Sequence, residues 1–331
     1  MTASARMIDS QWAGKPNSIV QTENTRRQWG NTNDSRAVCM TPPDRIVALP
    51  CWQGAILAQP LAGGLSNEIW KVTDGAGAHV VRLGRDYPFH HVYREREAMT
   101  ARAAHTAGFA PAVEYTEPGV MVTRFITARA WVGDDLRREP ERVALMLRDF
   151  HDRMGREVSG AGFIFWPFHV IRDYLRTLKN TLTAPQIAEW QALSDETEAA
   201  QVPLPVIFGH HDMLPANLLD DGQRLWLIDY EYAGFGTAMF DLAGAASNAG
   251  MTAEESDRLL NAYFGQVGPE LRRAFDAMQV ASLLREMLWS HVSGLYLSAP
   301  GVDYAAYADE NRARLEAALS HYRSLYGNAP K

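Results

Sequence analysis

The chain has 331 residues, 47% of them hydrophobic and 21% charged, with a formal net charge of -7 from 39 acidic and 32 basic residues. That length divides into roughly two domains and can bury a core without disulfides or a structural metal. The acidic balance argues against broad nucleic-acid binding, which needs a basic face, and no apolar run approaches the ~18 residues of a membrane span.

The first forty residues are rich in Ser, Thr, Asn and Gln and lack apolar periodicity, so residues 1–45 are expected to be a disordered tail. Arg26-Arg27 is followed by no apolar stretch, which argues against an export signal. The two cysteines, Cys39 and Cys51, are too few for a disulfide framework and lack metal-site spacing. They are read as free thiols in a reducing cytoplasm.

Residues 46–126 suit a small sheet with one helix. Ile69 to Thr73 and His79 to Leu83 are strand candidates around the turn-rich Asp74-Gly75-Ala76-Gly77. Val92 to Ala107 is helical in composition and stops at Gly108. Val113 to Tyr115 and Gly119 to Ile126 are two further strands. Residues 127–328 read mainly as helices: Glu141 to Met154, Val170 to Asn180 and Pro185 to Ala200, then a β-rich island from Val206 to Asp229, with helices resuming near Ala253.

The island carries the chemistry. Gly209-His-His-Asp-Met-Leu-Pro-Ala-Asn217 precedes the apolar run Leu225 to Ile228, which ends in Asp229-Tyr-Glu231. Phosphoryl transfer needs a carboxylate to orient and deprotonate a hydroxyl, and oxygen ligands for Mg²⁺ converging on the same phosphate. Asp212 suits the base, Asn217 and Asp229 the metal oxygens, and His210 a bracing hydrogen bond. The Asp-to-Asn spacing equals that of the protein-kinase catalytic loop. Two other readings stay open: His210, His211 and Asp212 as metal ligands of a hydrolase, or a purely structural turn.

The stretch GHHDMLPANLL, followed by LWLIDYEYAGFGTAMFDLA, resembles the choline/ethanolamine kinase branch of the aminoglycoside-phosphotransferase-like kinases. The resemblance runs from about Ala58 to Tyr326. It implies an α+β, protein-kinase-like fold with a small β-rich N-lobe, a larger helical C-lobe, and ATP between them.

The resemblance also implies roles. Gly63, Gly64, Leu65, Ser66 and Asn67 would approach the phosphates of ATP; glycines there let backbone N–H groups come close. The cation of the third strand would be Arg82. The family at large often has lysine there, and this chain has only four: Lys15, Lys71, Lys179 and Lys331. Lys71, on the preceding strand, is expected to be solvated. Glu97 would hold Arg82, with Glu95 as the alternative. Adenine would meet the backbone of Thr123 to Ile126, including Arg124, Phe125 and Ile126.

For the acceptor, Trp289 and Tyr304 match positions of an aromatic box, which binds cations through ring faces. Tyr296 is another late aromatic. Glu286 lies one turn before Trp289, where the eukaryotic box has an aromatic residue, and Glu231 would support the metal or the acceptor. The resemblance implies an acidic residue seven positions after Asp241, where this chain has Asn248. The expected activity is ATP- and Mg²⁺-dependent phosphorylation of choline, ethanolamine or another amino alcohol such as thiamine. The rivals are an aminoglycoside phosphotransferase and a nucleotide-binding pseudokinase without catalysis.

Overall fold

The computed structural model describes residues 43–61, 67–298 and 302–327. The expected tail up to residue 42, and Gly63, Gly64, Leu65 and Ser66 of the phosphate loop, lie outside the described residues.

The small lobe begins with a helical turn, α1 (Asp44–Val47), and continues with β1 (Leu57–Pro60), β2 (Glu68–Thr73) and β3 (Ala78–Leu83). A helix, α2 (Arg94–Thr106), then precedes β4 (Val113–Glu117) and β5 (Val120–Arg124). The five strands form one antiparallel sheet in the order β1-β2-β3-β5-β4. Asp74 closes the β2–β3 turn: its Oδ1 accepts the Ala76 and Gly77 N–H groups at 2.7 and 3.1 Å. Trp70, Val72, Val81 and Val122 pack with Ile46 and Leu49 on one face of the sheet. Strand β3 sits inside the sheet, and His79, Val80, Val81 and Arg82 are all buried along it. A cation buried in a strand needs carboxylate partners.

The larger lobe is mostly helical. It comprises β6 (Arg129–Ala130), α3 (Gly133–Arg138), α4 (Pro140–Glu157), α5 (Pro167–Thr177) and α6 (Ala184–Ala199), then β7 (Val206–Gly209), β8 (Leu218–Asp220), β9 (Leu225–Leu227) and β10 (Gly234–Thr237). It closes with α7 (Ala238–Ala249), α8 (Ala253–Phe264), α9 (Pro269–Tyr296) and α10 (Tyr304–Tyr326). Strands β6, β8 and β9 make one small sheet and β7 with β10 another. Along α4, Val143, Leu147, Phe150 and Met154 are buried, as their helical spacing implies. Helix α9, 28 residues long, runs through the core against α5, α6, α7 and α10.

The helices resume earlier than the sequence pattern implies, at Ala238 rather than Ala253. Nearly every residue of α7 is buried, so it has no polar face from which a periodicity could be read. Cys51 is half-buried and free. Among the described residues, no helix is long and apolar enough to cross a membrane.

Candidate active site

Strand β7 delivers Gly209, His210 and His211 to the middle of the larger lobe. The His211 backbone is left-handed, with φ 62°. This conformation is uncommon outside glycine and must be held by its surroundings. Asp241, fully buried on α7, supplies the restraint. Its Oδ2 accepts the His210 N–H at 2.8 Å and its Oδ1 the His211 N–H at 2.6 Å. The buried His151 of α4 donates to the same carboxylate at 2.9 Å. Gly209 must be glycine, because a Cβ there would come within 2.4 Å of the His211 ring.

The loop then presents Asp212. The His210 ring donates through Nε2 to the Ile228 carbonyl at 2.9 Å and accepts the Asp212 N–H on Nδ1 at 3.3 Å. His210 thus joins the loop to the strand end that carries Asp229. Burial raises the Asp212 carboxyl well above the usual range, and the charges of Asp229, Glu286 and Glu231 act the same way, while Arg285 opposes them.

Asn217 ends a 3₁₀ turn, Pro215–Asn217, and its side-chain N–H groups donate to the Asp212 carbonyl at 2.9 Å and to Asp212 Oδ2 at 3.2 Å. The backbone of Ile228 donates to the Asn217 carbonyl at 3.0 Å, extending the β8–β9 pairing. That register brings Asn217 beside Asp229, which has a left-handed φ of 69°. Asn217 Oδ1 is buried with no hydrogen-bond partner.

These residues fit a magnesium ion. The unpartnered Asn217 oxygen and the adjacent Asp229 carboxylate are hard ligands of the kind this ion takes, completed by phosphate and water.

Arg82 crosses from the small lobe to the same place. It pairs with Glu97 of α2, and its Nη1 donates to Asp229 Oδ1 at 3.0 Å. Glu97, 1% exposed, also receives Arg94 at 2.7 Å. Arg94 in turn reaches Glu231 at 3.0 Å. Glu231 therefore belongs to this chain of alternating charges. Burial and the neighbouring Asp229 raise its carboxyl, while Arg94 and Arg82 lower it. Sequence reasoning missed Arg94, although its position three residues before Glu97 on one helix places the two side by side.

Of the adenine-contact candidates, Arg124 is largely exposed and pairs with Glu114. Phe125 lies 4.1 Å beneath Lys71 Nζ. Lys71 is thus half-buried over a ring rather than solvated, because β2 carries it above the end of β5. Asn67 and Ile126 both make polar or ring contacts within the fold.

The aromatic cluster forms on α9. Trp289 donates through Nε1 to the Tyr232 hydroxyl at 2.8 Å and stacks on His90 at 5.1 Å. Tyr304 and Tyr307, on α10, stand edge-on to it at 6.3 and 6.2 Å. Glu286 accepts from the Tyr307 hydroxyl and from Arg285, both at 2.9 Å. Tyr296 lies outside this group, half exposed and stacked on Phe89 at 4.5 Å. Tyr232, Tyr307, His90 and Arg285 were not picked from sequence. Tyr232, Tyr307 and Arg285 carried a signal, lying close in the chain to Glu231, Tyr304 and Glu286.

A small antiparallel lobe joined to a helical lobe, with a partly buried Asp–Asn–Asp group and a strand cation at their junction, is the two-lobe fold of a protein-kinase-like phosphotransferase. The chain belongs to the phosphotransferase enzyme family, whose model matches residues 58–279. It is similar to a choline/ethanolamine kinase family protein from Mesorhizobium loti, with 30% identity and a TM-score of 0.67, covering 83% of this chain and 92% of that one. The choline kinase LicA from Streptococcus pneumoniae has the same fold at 20% identity and a TM-score of 0.68, over 81% of this chain and 94% of that one. The protein LicA from Haemophilus influenzae is 23% identical over 238 residues, which is 69% of this chain and 70% of that protein.

Proposed function

We propose that the protein transfers the γ-phosphoryl group of ATP to the hydroxyl of a small amino alcohol of the choline or ethanolamine type. The observation that carries this reading is the half-buried Asp212 carboxylate, fixed by Asn217 at 3.2 Å and set beside the unpartnered Asn217 oxygen. A base and a metal oxygen held on one short turn are what in-line transfer to a hydroxyl requires.

In this reading Asp212 orients the acceptor hydroxyl and takes its proton as the oxygen bonds to the γ-phosphorus. The bond from phosphorus to the bridging oxygen breaks, and ADP leaves. Asn217 and Asp229 would hold Mg²⁺, which neutralises phosphate charge when bound. Arg82, steadied by Glu97, takes phosphate oxygens, and the resemblance would give Gly63, Gly64, Leu65, Ser66 and Asn67 the same task. Glu231 fixes Arg94 on the same side. Residues 46–126 would serve as the nucleotide lobe, with adenine at Arg124, Phe125 and Ile126, and 127–328 as the acceptor lobe. Trp289, Tyr304 and Glu286 would receive the ammonium group.

The pocket disfavours a polycationic antibiotic. Of the two acidic residues in 279–304, Asp303 is occupied capping α10 through the Ala305 and Ala306 N–H groups. Only Glu286 is left.

Purified protein with ATP and Mg²⁺ should release ADP with choline, ethanolamine or a related amino alcohol, and not with aminoglycosides. Asp212→Asn should lower turnover on the order of 10²–10⁴-fold while ATP binding is retained. Wild-type turnover in that variant would overturn the reading.

A further inference from the structure

We propose that the acceptor carries a carboxylate beside its amino and hydroxyl groups, and that Arg285 is the residue that binds this carboxylate. The inference rests on the amino-alcohol reading above and narrows it.

Arg285 lies on α9 next to Glu286 and one turn before Trp289. Its side chain is 4% exposed. Nη1 donates to Glu286 at 2.9 Å, and the guanidinium lies 4.4 Å over the Tyr232 ring. The remaining nitrogens, Nε and Nη2, are buried with no hydrogen-bond partner. Those two atoms form one edge of the guanidinium plane. Their N–H bonds run parallel, at the spacing that receives both oxygens of a carboxylate. Folding leaves such donors unmet only at a cost, unless a ligand completes them.

Arg285 lies among the residues that the proposed function assigns to the acceptor. Tyr232, beneath the guanidinium, also receives the Trp289 N–H, and the Arg285 charge acts on Asp212. Simple choline or ethanolamine would bring a second cation to this arginine. A zwitterionic hydroxy-amine places its carboxylate on the Nε–Nη2 edge and its ammonium against Trp289, Tyr304 and Glu286. Its hydroxyl still takes the phosphoryl group. A γ-phosphate could also occupy a guanidinium edge, so the test separates the two anions.

Matched acceptors differing by a carboxylate provide the test: ethanolamine with serine, β-methylcholine with carnitine, and 3-aminopropanol with homoserine. ADP release is measured for the wild type, Arg285→Met and Arg285→Lys. In the wild type, kcat/KM should favour the carboxylated member of at least one pair by about 10–100-fold, the worth of a charge-assisted contact. Arg285→Met should erase that preference through the acceptor KM, leaving the ATP KM unchanged, and Arg285→Lys should restore part of it. A wild-type preference for the uncarboxylated member of every pair overturns the proposal. So does an equal loss in both members accompanied by a raised ATP KM, which would assign the edge to phosphate. Should Arg285→Met fail to fold, the wild-type ranking decides alone. If no acceptor of any kind is phosphorylated, the amino-alcohol reading fails. Calorimetry of the three carboxylated compounds against their partners then decides the carboxylate site separately: preferential binding supports it and its absence overturns it.

Discussion

The backbone N–H of His211 donates to Asp241 Oδ1 at 2.6 Å across 30 positions of the chain. Through this bond and its neighbour from His210, helix α7 sets the direction in which the loop presents Asp212. Asp241→Ala removes the acceptor of two buried N–H groups and the partner of His151 at once. Losing one member of a buried charged group costs about 3–5 kcal/mol. Urea denaturation should show a loss of that size. Asp241→Asn, which keeps one acceptor oxygen, should lose less stability but still lower kcat, because only one of the two N–H bonds can be kept.

His211 makes stability sensitive to acid. Burial pushes its ring down to about 4 from an ordinary 6.5, with the Asp241 charge opposing. The neutral ring donates through Nε2 to the Gly234 carbonyl at 3.0 Å and stacks on Phe165 at 4.6 Å. The unfolded chain binds this proton near 6.5 and the folded chain only near 4. The associated stability is therefore complete above about pH 6.5 and is lost as pH falls through that window. The full loss from this residue is about 3 kcal/mol. His211→Gln cannot titrate and should flatten the fall in melting temperature between pH 6.5 and 4. An unchanged slope would show that other groups govern acid unfolding.

Glu97 holds both Arg82 and Arg94 and is itself almost fully buried. Glu97→Gln leaves two buried guanidinium groups with weakened partners. We expect ATP KM to rise on the order of 10–100-fold, the worth of a charge-assisted hydrogen bond. The acceptor KM should move little. A change confined to the acceptor KM would place this pair outside the phosphate site.

Most strands of the small lobe, the long helices and the Asp212–Asn217–Asp229 group could be read from the chain, whereas the sheet order and the first strand could not. Periodicity reports half-buried elements, and the group is compact in sequence. Helix α7 was unreadable because it is buried on every side. The pairings of Arg94 with Glu231, Tyr232 with Trp289 and His90 with Ser293 were unreadable for another reason: the partners lie far along the chain, at separations that only the packing of α9 and the lobe junction determines. Arg285 was passed over because its neighbour Glu286 carried the charge the sequence argument sought.

Asn217 offers the sharpest separation of metal binding from loop bracing. Its N–H groups brace Asp212, while its buried Oδ1 is unpartnered. Asn217→Ala removes both functions. It should raise the Mg²⁺ concentration for half-maximal rate by at least the roughly 10–100-fold that follows removal of an outer-shell partner of a metal ligand, and lower kcat as well. Asn217→Asp separates them. The new carboxylate binds the cation more strongly, so the half-saturating Mg²⁺ should fall. It also faces Asp212 Oδ2 where a donor stood, and like charges at that distance disfavour two ionised carboxylates. Turnover should therefore drop even at saturating Mg²⁺. If Asn217→Asp instead left the Mg²⁺ requirement unchanged while Asn217→Ala lowered only kcat, the side chain would be a brace for the loop and the metal would take its second oxygen elsewhere.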